Sequence, residues 1–317
     1  MSDQDSPWWG TGAAATQCEG AAPRSDWAGW EAEGRVPPSG DGNGFRTRYA
    51  DDFELLAEHG ITRHRLTVEW ARLEPSEGRW DEDEVAHLRR VLEAGREAGV
   101  AVWACLLHGS APGWFTDDRQ GWLDDKAATL MWPRHVDRVA EALGDLVAGW
   151  VPIHEPGLQA RLGYGEGTFP PGRHREDDER DALAALRTAE TEAARLLRSG
   201  GAPVAVTARP GEPHERDDLV VISAAVDELE TPLEQAADGF PDVGILVVTG
   251  DPRGNGRLQR AVDTVAQAHR DGLGVVGVFH LPAIDGYEWH RGFDARLGLF
   301  DRDRGPKDAL GALPSAH

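Results

Sequence analysis

The chain has 317 residues with 33 basic and 55 acidic side chains, and its net charge of −22 argues against a nucleic acid or anionic membrane partner and favours a neutral or cationic small ligand. Ordinary solubilisation explains the same charge and carries more weight. Two cysteines, Cys18 and Cys105, are too few for a disulfide framework, and no window approaches the run of about 20 apolar residues that a membrane span needs, so cytoplasmic residence is expected.

Residues 1–7 are polar and acidic, without a charged-then-apolar leader, and read as a disordered tail before Trp8 and Trp9 open the first strand. A second strand falls within residues 60–75. Asp81 then caps a helix with Glu84 three residues on, and Val85, Leu88, Val91 and Leu92 recur at helical spacing until Gly99 stops it. The third strand is Val100–Leu107. Pro133 suits a first helical position, and Val136, Val139, Ala140, Leu143 and Val147 form the buried stripe that leads to a fourth strand, which Pro156 ends. Residues 172–180 read as a charged loop, followed by a long helix through Leu183, Leu186, Ala193 and Leu197 that stops at Gly200-Gly201. Strands at Pro203–Ala208, Leu219–Ser223, Gly244–Thr249 and Val275–His280 bring the count to eight. The alternation predicts an α/β chain folded as one (β/α)8 barrel over residues 8–317, with no second domain, no repeat beyond the alternation itself and no low-complexity segment.

The motifs at the strand ends carry a resemblance. Trp150-Val151-Pro152-Ile153-His154-Glu155-Pro156 resembles the Trp-x-x-x-Asn-Glu-Pro segment that holds the acid/base glutamate of family 1 glycoside hydrolases, with His154 in place of the Asn. The run from Trp9 to Ala21 is similar to that family's first strand and loop, and Gly60 to Pro75 to its second strand. In the same order, His108 with Leu106-Leu107 before it, Gly163 to Gly172, and Gly286-Tyr287-Glu288-Trp289 match further family segments. The resemblance implies a barrel acting on β-glycosides, shortened between about residues 200 and 245. It assigns Glu155 as general acid/base, Arg65 as the cation beside the nucleophile and His154 as the acid/base glutamate's neighbour, and it gives Gln17, His108 and Glu288 to sugar hydroxyls and Trp289 to stacking.

Departures from the pattern cluster at one subsite. Gly250 stands where the family's Val-Thr-Glu-Asn-Gly strand carries the nucleophilic Glu, so the two-carboxyl retaining mechanism lacks its second partner. Asp251, one residue on, points away from the pocket by strand alternation. Gly109 replaces an aromatic after His108, Phe279 stands for the Trp of the eighth strand at the substrate site, and an Asn-Tyr-Tyr segment is missing.

Three function classes therefore stay open: hydrolysis by direct attack of water, sugar binding without chemistry, and a barrel recruited to elimination, isomerisation or cyclisation. Hydrolysis by water needs a base about 6.5–9.5 Å from Glu155, with Asp251, Glu69 and Asp285 as candidates. Glu69 also counts as a substrate-binding candidate, or else pairs with Arg72 or Arg65. His108, His154 and His280 at three strand ends raise a metal reading, but no His-Glu-x-x-His spacing supports it. No metal or cofactor is expected, the partner is a small glycoside or other polar metabolite, and the sequence specifies no oligomeric state.

Overall fold

The computed structural model describes residues 6–209, 219–250 and 257–314. Eight parallel strands are formed, β1 (Trp8–Ala13), β2 (Arg63–Thr67), β3 (Ala101–Cys105), β4 (Gly149–Val151), β5 (Ala205–Thr207), β6 (Leu219–Ala225), β7 (Ile245–Gly250) and β8 (Val275–His280). Their order is β4-β3-β2-β1-β8-β7-β6-β5, and a parallel bridge from Trp150 to Val204 joins the two ends. The sheet thus closes into a (β/α)8 barrel, as the alternation of elements predicts.

Side chains fill the barrel rather than leaving a pore. Trp8, Trp103 and Phe279 meet inside it, with the Trp8 ring 4.9 Å from Phe279 and 6.1 Å from Trp103. Gly277 makes the room, since a Cβ there would lie 2.1 Å from the Trp8 ring. Strand alternation separates two cores: Arg63, whose guanidinium lies over Trp8, and Arg65 point inward, whereas His64 packs outward between Phe45 and Phe53 of the helix Phe45–Glu58.

Helix boundaries follow local chemistry. Asp81 accepts the Glu84 amide at 3.0 Å and caps Glu82–Glu97, and Gly99 follows at φ 78°. Pro133 sits in the first turn of Trp132–Leu143, whose residues Val136, Val139 and Leu143 are buried. The charged loop expected at residues 172–180 is shorter: the helix starts at Glu176, because Glu176, Asp177, Asp178 and Glu179 in its first turn complement the positive end of the helix dipole. Pro152, rather than Pro156, ends β4, since it has no amide to donate to a ladder, and Pro156 instead opens the short helix Pro156–Ala160. Among the described residues no helix is long and apolar enough to cross a membrane.

Candidate active site

The mouth at the C-terminal ends of the strands gathers most of the residues singled out above. Gln17, His108, His154, Glu155, Glu288, Trp289 and Gly250 line one cavity of about 600 Å³. Glu155 lies four residues beyond β4 in the left-handed region, at φ 47° and ψ 66°. A non-glycine residue held there stores roughly 1–3 kcal/mol of strain. The following helix holds it: the Gln159 amide donates to the Glu155 carbonyl at 3.0 Å, and the Gln159 side chain donates to the His154 carbonyl at 2.6 Å. Burial raises the Glu155 pKa, against the opposing influences of a hydrogen bond from Ser223 on β6 and the charges of Arg65 and Arg161.

Beneath Glu155, Arg65 is fully buried and donates from Nη2 to His108 Nδ1 at 2.8 Å. A guanidinium can only donate, so His108 accepts on Nδ1 and carries its proton on Nε2. The His108 and His154 rings lie 4.0 Å apart between centroids. Burial first, and then the neighbouring positive charge, holds both imidazoles well below the usual range, so both are neutral. Arg65 has no salt bridge, and its Nε and Nη1 are buried without a hydrogen-bond partner among the described residues. At β7 the Gly250 position offers no carboxyl, and a Cβ there would lie 2.7 Å from the Leu281 carbonyl oxygen.

On the opposite wall, Gln17 Nε2 donates to Glu288 Oε2 at 2.8 Å, and burial lifts the Glu288 carboxyl to a pKa of about 7. Trp289, at φ 44°, packs over Gly109 so closely that a Cβ on that glycine would lie 2.6 Å from its ring.

Several expected site residues lie elsewhere. Phe279 is fully buried in the barrel floor; Leu281, two residues on and one layer up the same inward face, lines the mouth instead. Glu69 is buried behind Ser110, whose hydroxyl lies 3.0 Å from each of its oxygens, and caps the short helix Trp70–Leu73; Arg72 salt-bridges Glu19 rather than Glu69. Asp285 accepts from Lys307 Nζ at 2.9 Å and from the Gly298 amide at 2.7 Å, so it is a buried structural ion pair and not a base. Asp251 lies outside the described residues. His280 pairs in register with Thr11, whose hydroxyl meets His64 on the helix side of the sheet, so it faces away from His108 and His154. Sequence reading missed Ser223, Leu281 and the residues of a second cavity beside Glu155, among them Asp26, Ser110, Trp122 and Tyr164. Tyr164 falls in the Gly163–Gly172 segment and Ser110 in the Leu106–Pro112 segment around His108, but neither motif points to a second cavity, and Asp26 and Trp122 lie in no motif, because distant loops bring them together.

Residues 5–209, well over half of the chain, match the sequence model of Glycosyl hydrolase family 1. Beta-glucosidase 1B of Phanerodontia chrysosporium is 30% identical over 178 residues, which make up 52% of this chain and 33% of that protein. Coniferin beta-glucosidase of Pinus contorta is 31% identical over 177 residues, 52% of this chain and 34% of that protein, so the match spans about a third of these relatives' length. Among solved structures, the AHE enzyme from Alicyclobacillus herbarius superposes with a TM-score of 0.88 at 18% identity, covering 98% of both chains. The family 1 β-glucosidase from Thermotoga maritima gives a TM-score of 0.84 at 16% identity over 96% of this chain and 95% of that one; both similarities concern the fold. The chain belongs to Glycosyl hydrolase family 1.

Proposed function

We propose that the chain acts on a β-glycoside or a closely sugar-like small molecule, with Glu155 as general acid/base and without a covalent glycosyl-enzyme. The observation that carries this reading is the placement of Glu155 in the mouth, its pKa raised by burial, in the same cavity as the hydrogen-bonded pair Gln17 and Glu288 and beside His108. A carboxyl whose neutral form is favoured by burial can protonate a leaving oxygen. Gly250 removes the group that would attack the anomeric carbon, which leaves water as the nucleophile. Glu288 is the other carboxyl lining the mouth among the described residues, and at a pKa of about 7 it suits the base that activates that water. Gly250 also favours a second reading, sugar binding without turnover.

The test uses an aryl β-glycoside and a fluorinated trapping glycoside on the wild type and on Glu155→Gln. Wild-type mass stays unchanged after trapping, and the variant loses about 10²–10⁴-fold in turnover while sugar binding is nearly intact. A labelled wild type would place a nucleophile on another carboxyl. Wild-type rates in Glu155→Gln would make Glu155 structural, and saturable sugar binding with no turnover in either protein would leave the binding reading.

A further inference from the structure

Adjoining the mouth lies a chamber of about 200 Å³ that shares His108, His154, Glu155, Leu158 and Trp289 with it but has a different character. Its walls are apolar and aromatic, with Trp122, Tyr164, Phe169, Trp289, Leu158 and Leu162. Its polar end is Asp26, Ser110 and Thr116. Asp26 is 4% exposed, and its position is fixed by the backbone: its amide donates to the Ala111 carbonyl at 2.9 Å, while its Oδ1 accepts the Trp27 amide at 2.7 Å and the Ala111 amide at 3.0 Å. Its Oδ2 makes no hydrogen bond, and no arginine or lysine among the described residues forms a salt bridge with it.

The hydrogen-bonding character of this end is one-sided. The Ser110 hydroxyl proton goes to Glu69, both of whose oxygens lie 3.0 Å away, and the Thr116 hydroxyl donates to the Pro112 carbonyl at 3.4 Å. The Tyr164 hydroxyl accepts the Trp122 amide at 2.8 Å and keeps one donor, and Ser110 Oγ accepts from the Thr16 hydroxyl; with Asp26 ionised, what remains at this end is acceptor capacity on Asp26 Oδ2, Ser110 Oγ and Thr116 Oγ1. Glu69 and Asp117 add negative charge nearby. The complement is a head group that only donates and is positive. An ammonium has three donors and no acceptor, and aromatic faces attract it once it leaves water.

We propose that this chamber is a binding subsite for an organic ammonium, its NH₃⁺ on Asp26 Oδ2 and Ser110 Oγ and its apolar stem against Trp122, Phe169 and Trp289. The size fits a single substituted ring, since a cavity of about 150 Å³ takes benzene. Burial raises the Asp26 pKa well above the usual carboxylate range, so an arriving cation would also relieve the cost of ionising it. The subsite does not depend on what chemistry Glu155 performs, and its failure would leave that question untouched.

The experiment is calorimetric titration, with tryptophan fluorescence as a second readout, of benzylamine, protonated at neutral pH, against benzyl alcohol and benzoate. Benzylamine binds at least about tenfold more tightly than benzyl alcohol, and benzoate does not bind. Asp26→Asn keeps an oxygen for the Trp27 and Ala111 amides, so the chamber stays formed, and it brings the amine down to the affinity of the alcohol. Glu155→Gln leaves the preference in place. Equal binding of alcohol and amine to the wild type, or no saturable binding of the amine, overturns the proposal whatever the variants do. Loss of the preference in Glu155→Gln but not in Asp26→Asn would put the ammonium on Glu155 and overturn the assignment to Asp26.

Discussion

The two halves of the barrel bring different residues to the mouth. From β1 to β4 the connecting helices Phe45–Glu58, Glu82–Glu97 and Trp132–Leu143 have 14, 16 and 12 residues, and the Asp81 cap, the Gly99 stop and the Pro133 start have their structural counterparts. From β5 onward the frame has similar dimensions: β6, β7 and β8 have seven, six and six residues, and the helices Glu230–Gly239 and Leu258–Arg270 have 10 and 13. The family match ends at residue 209, between β5 and β6. The chemistry divides where the frame does not. Gln17, Arg65, His108 and Glu155 come from the first half, while the second contributes Glu288 and Trp289 but only Gly250 at the end of β7. A barrel can thus change the side chain at one strand end and keep those at others, because each strand end projects its side chain independently on a shared frame.

Two arginines make the contrast measurable, Arg65 fully buried and Arg304 partly so. Arg304 forms a two-pronged ion pair with buried Asp52 at 2.8 Å, whereas Arg65 has only a neutral imidazole. Arg304→Met leaves Asp52 as an uncompensated buried charge and is expected to cost about 3–5 kcal/mol in urea denaturation. Arg65→Met removes a charge that already lacks a partner, so it is expected to stabilise by about 1–3 kcal/mol. Destabilisation by Arg65→Met similar to that of Arg304→Met would mean that Arg65 is compensated after all.

Acid stability sharpens the comparison in the first half. Burial lowers His64 and His135 to a pKa of about 3 from 6.5, and His135 stacks on Trp70 at 4.8 Å with neither ring nitrogen hydrogen-bonded. Below pH 6.5 the unfolded chain takes up protons that these folded imidazoles refuse, so stability falls as pH drops from about 6.5 toward 3. Each contributes on the order of 4 kcal/mol at the acid limit. Glu69 acts in the opposite sense: its folded pKa of about 7 exceeds the usual 4.5, so its contribution is present at low pH and is lost as pH rises through 7. His135→Phe should flatten the acid limb of the urea midpoint against pH, and Glu69→Gln should flatten the limb between about 4.5 and 7. Unchanged limbs would show that these groups titrate as in water.

How much of this was legible in the sequence depends on distance along the chain. Asp81 with Glu84, the apolar stripe through Val136 and Val139, and the strand Val275–His280 are local signals, and each formed where it was read. The mouth residues were legible because they sit in motifs around strand ends. Phe279 was placed one layer too high, since alternation fixes which side of a strand a residue takes but not how far up the barrel it stands. The helix start at Glu176 was hidden because an acidic run reads equally as a solvated loop and as a first turn. Asp26 gave no signal at all, and Ser110 stood in the His108 segment without marking a second cavity. They meet because the loop carrying Ser25 pairs with the loop carrying Pro112, and no periodicity encodes such a contact.

The smallest expected effect lies at Gly250, where the second half of the barrel closes on itself. The Leu281 amide donates to the Thr249 carbonyl at 2.8 Å, and this ladder brings the Leu281 carbonyl to 2.7 Å from where a Cβ on residue 250 would stand. Glycine at this position has a structural consequence, because its lack of a side chain allows the ends of β7 and β8 to approach this closely. Gly250→Ala is expected to cost about 1–3 kcal/mol as the strand ends part, with sugar binding at the Gln17 and Glu288 wall little changed. Gly250→Glu carries the same cost and adds a carboxyl on the side of the mouth that faces Glu155. Because the backbone must shift to admit it, that carboxyl stands off its attacking position, and a misplacement near 1 Å costs about 10²-fold. Intact mass after incubation with a fluorinated glycoside should thus show at most slow, partial labelling of Gly250→Glu and none of Gly250→Ala. Rapid stoichiometric labelling would show that the β7 and β8 ends yield easily and that the missing carboxyl alone separates this mouth from a retaining one.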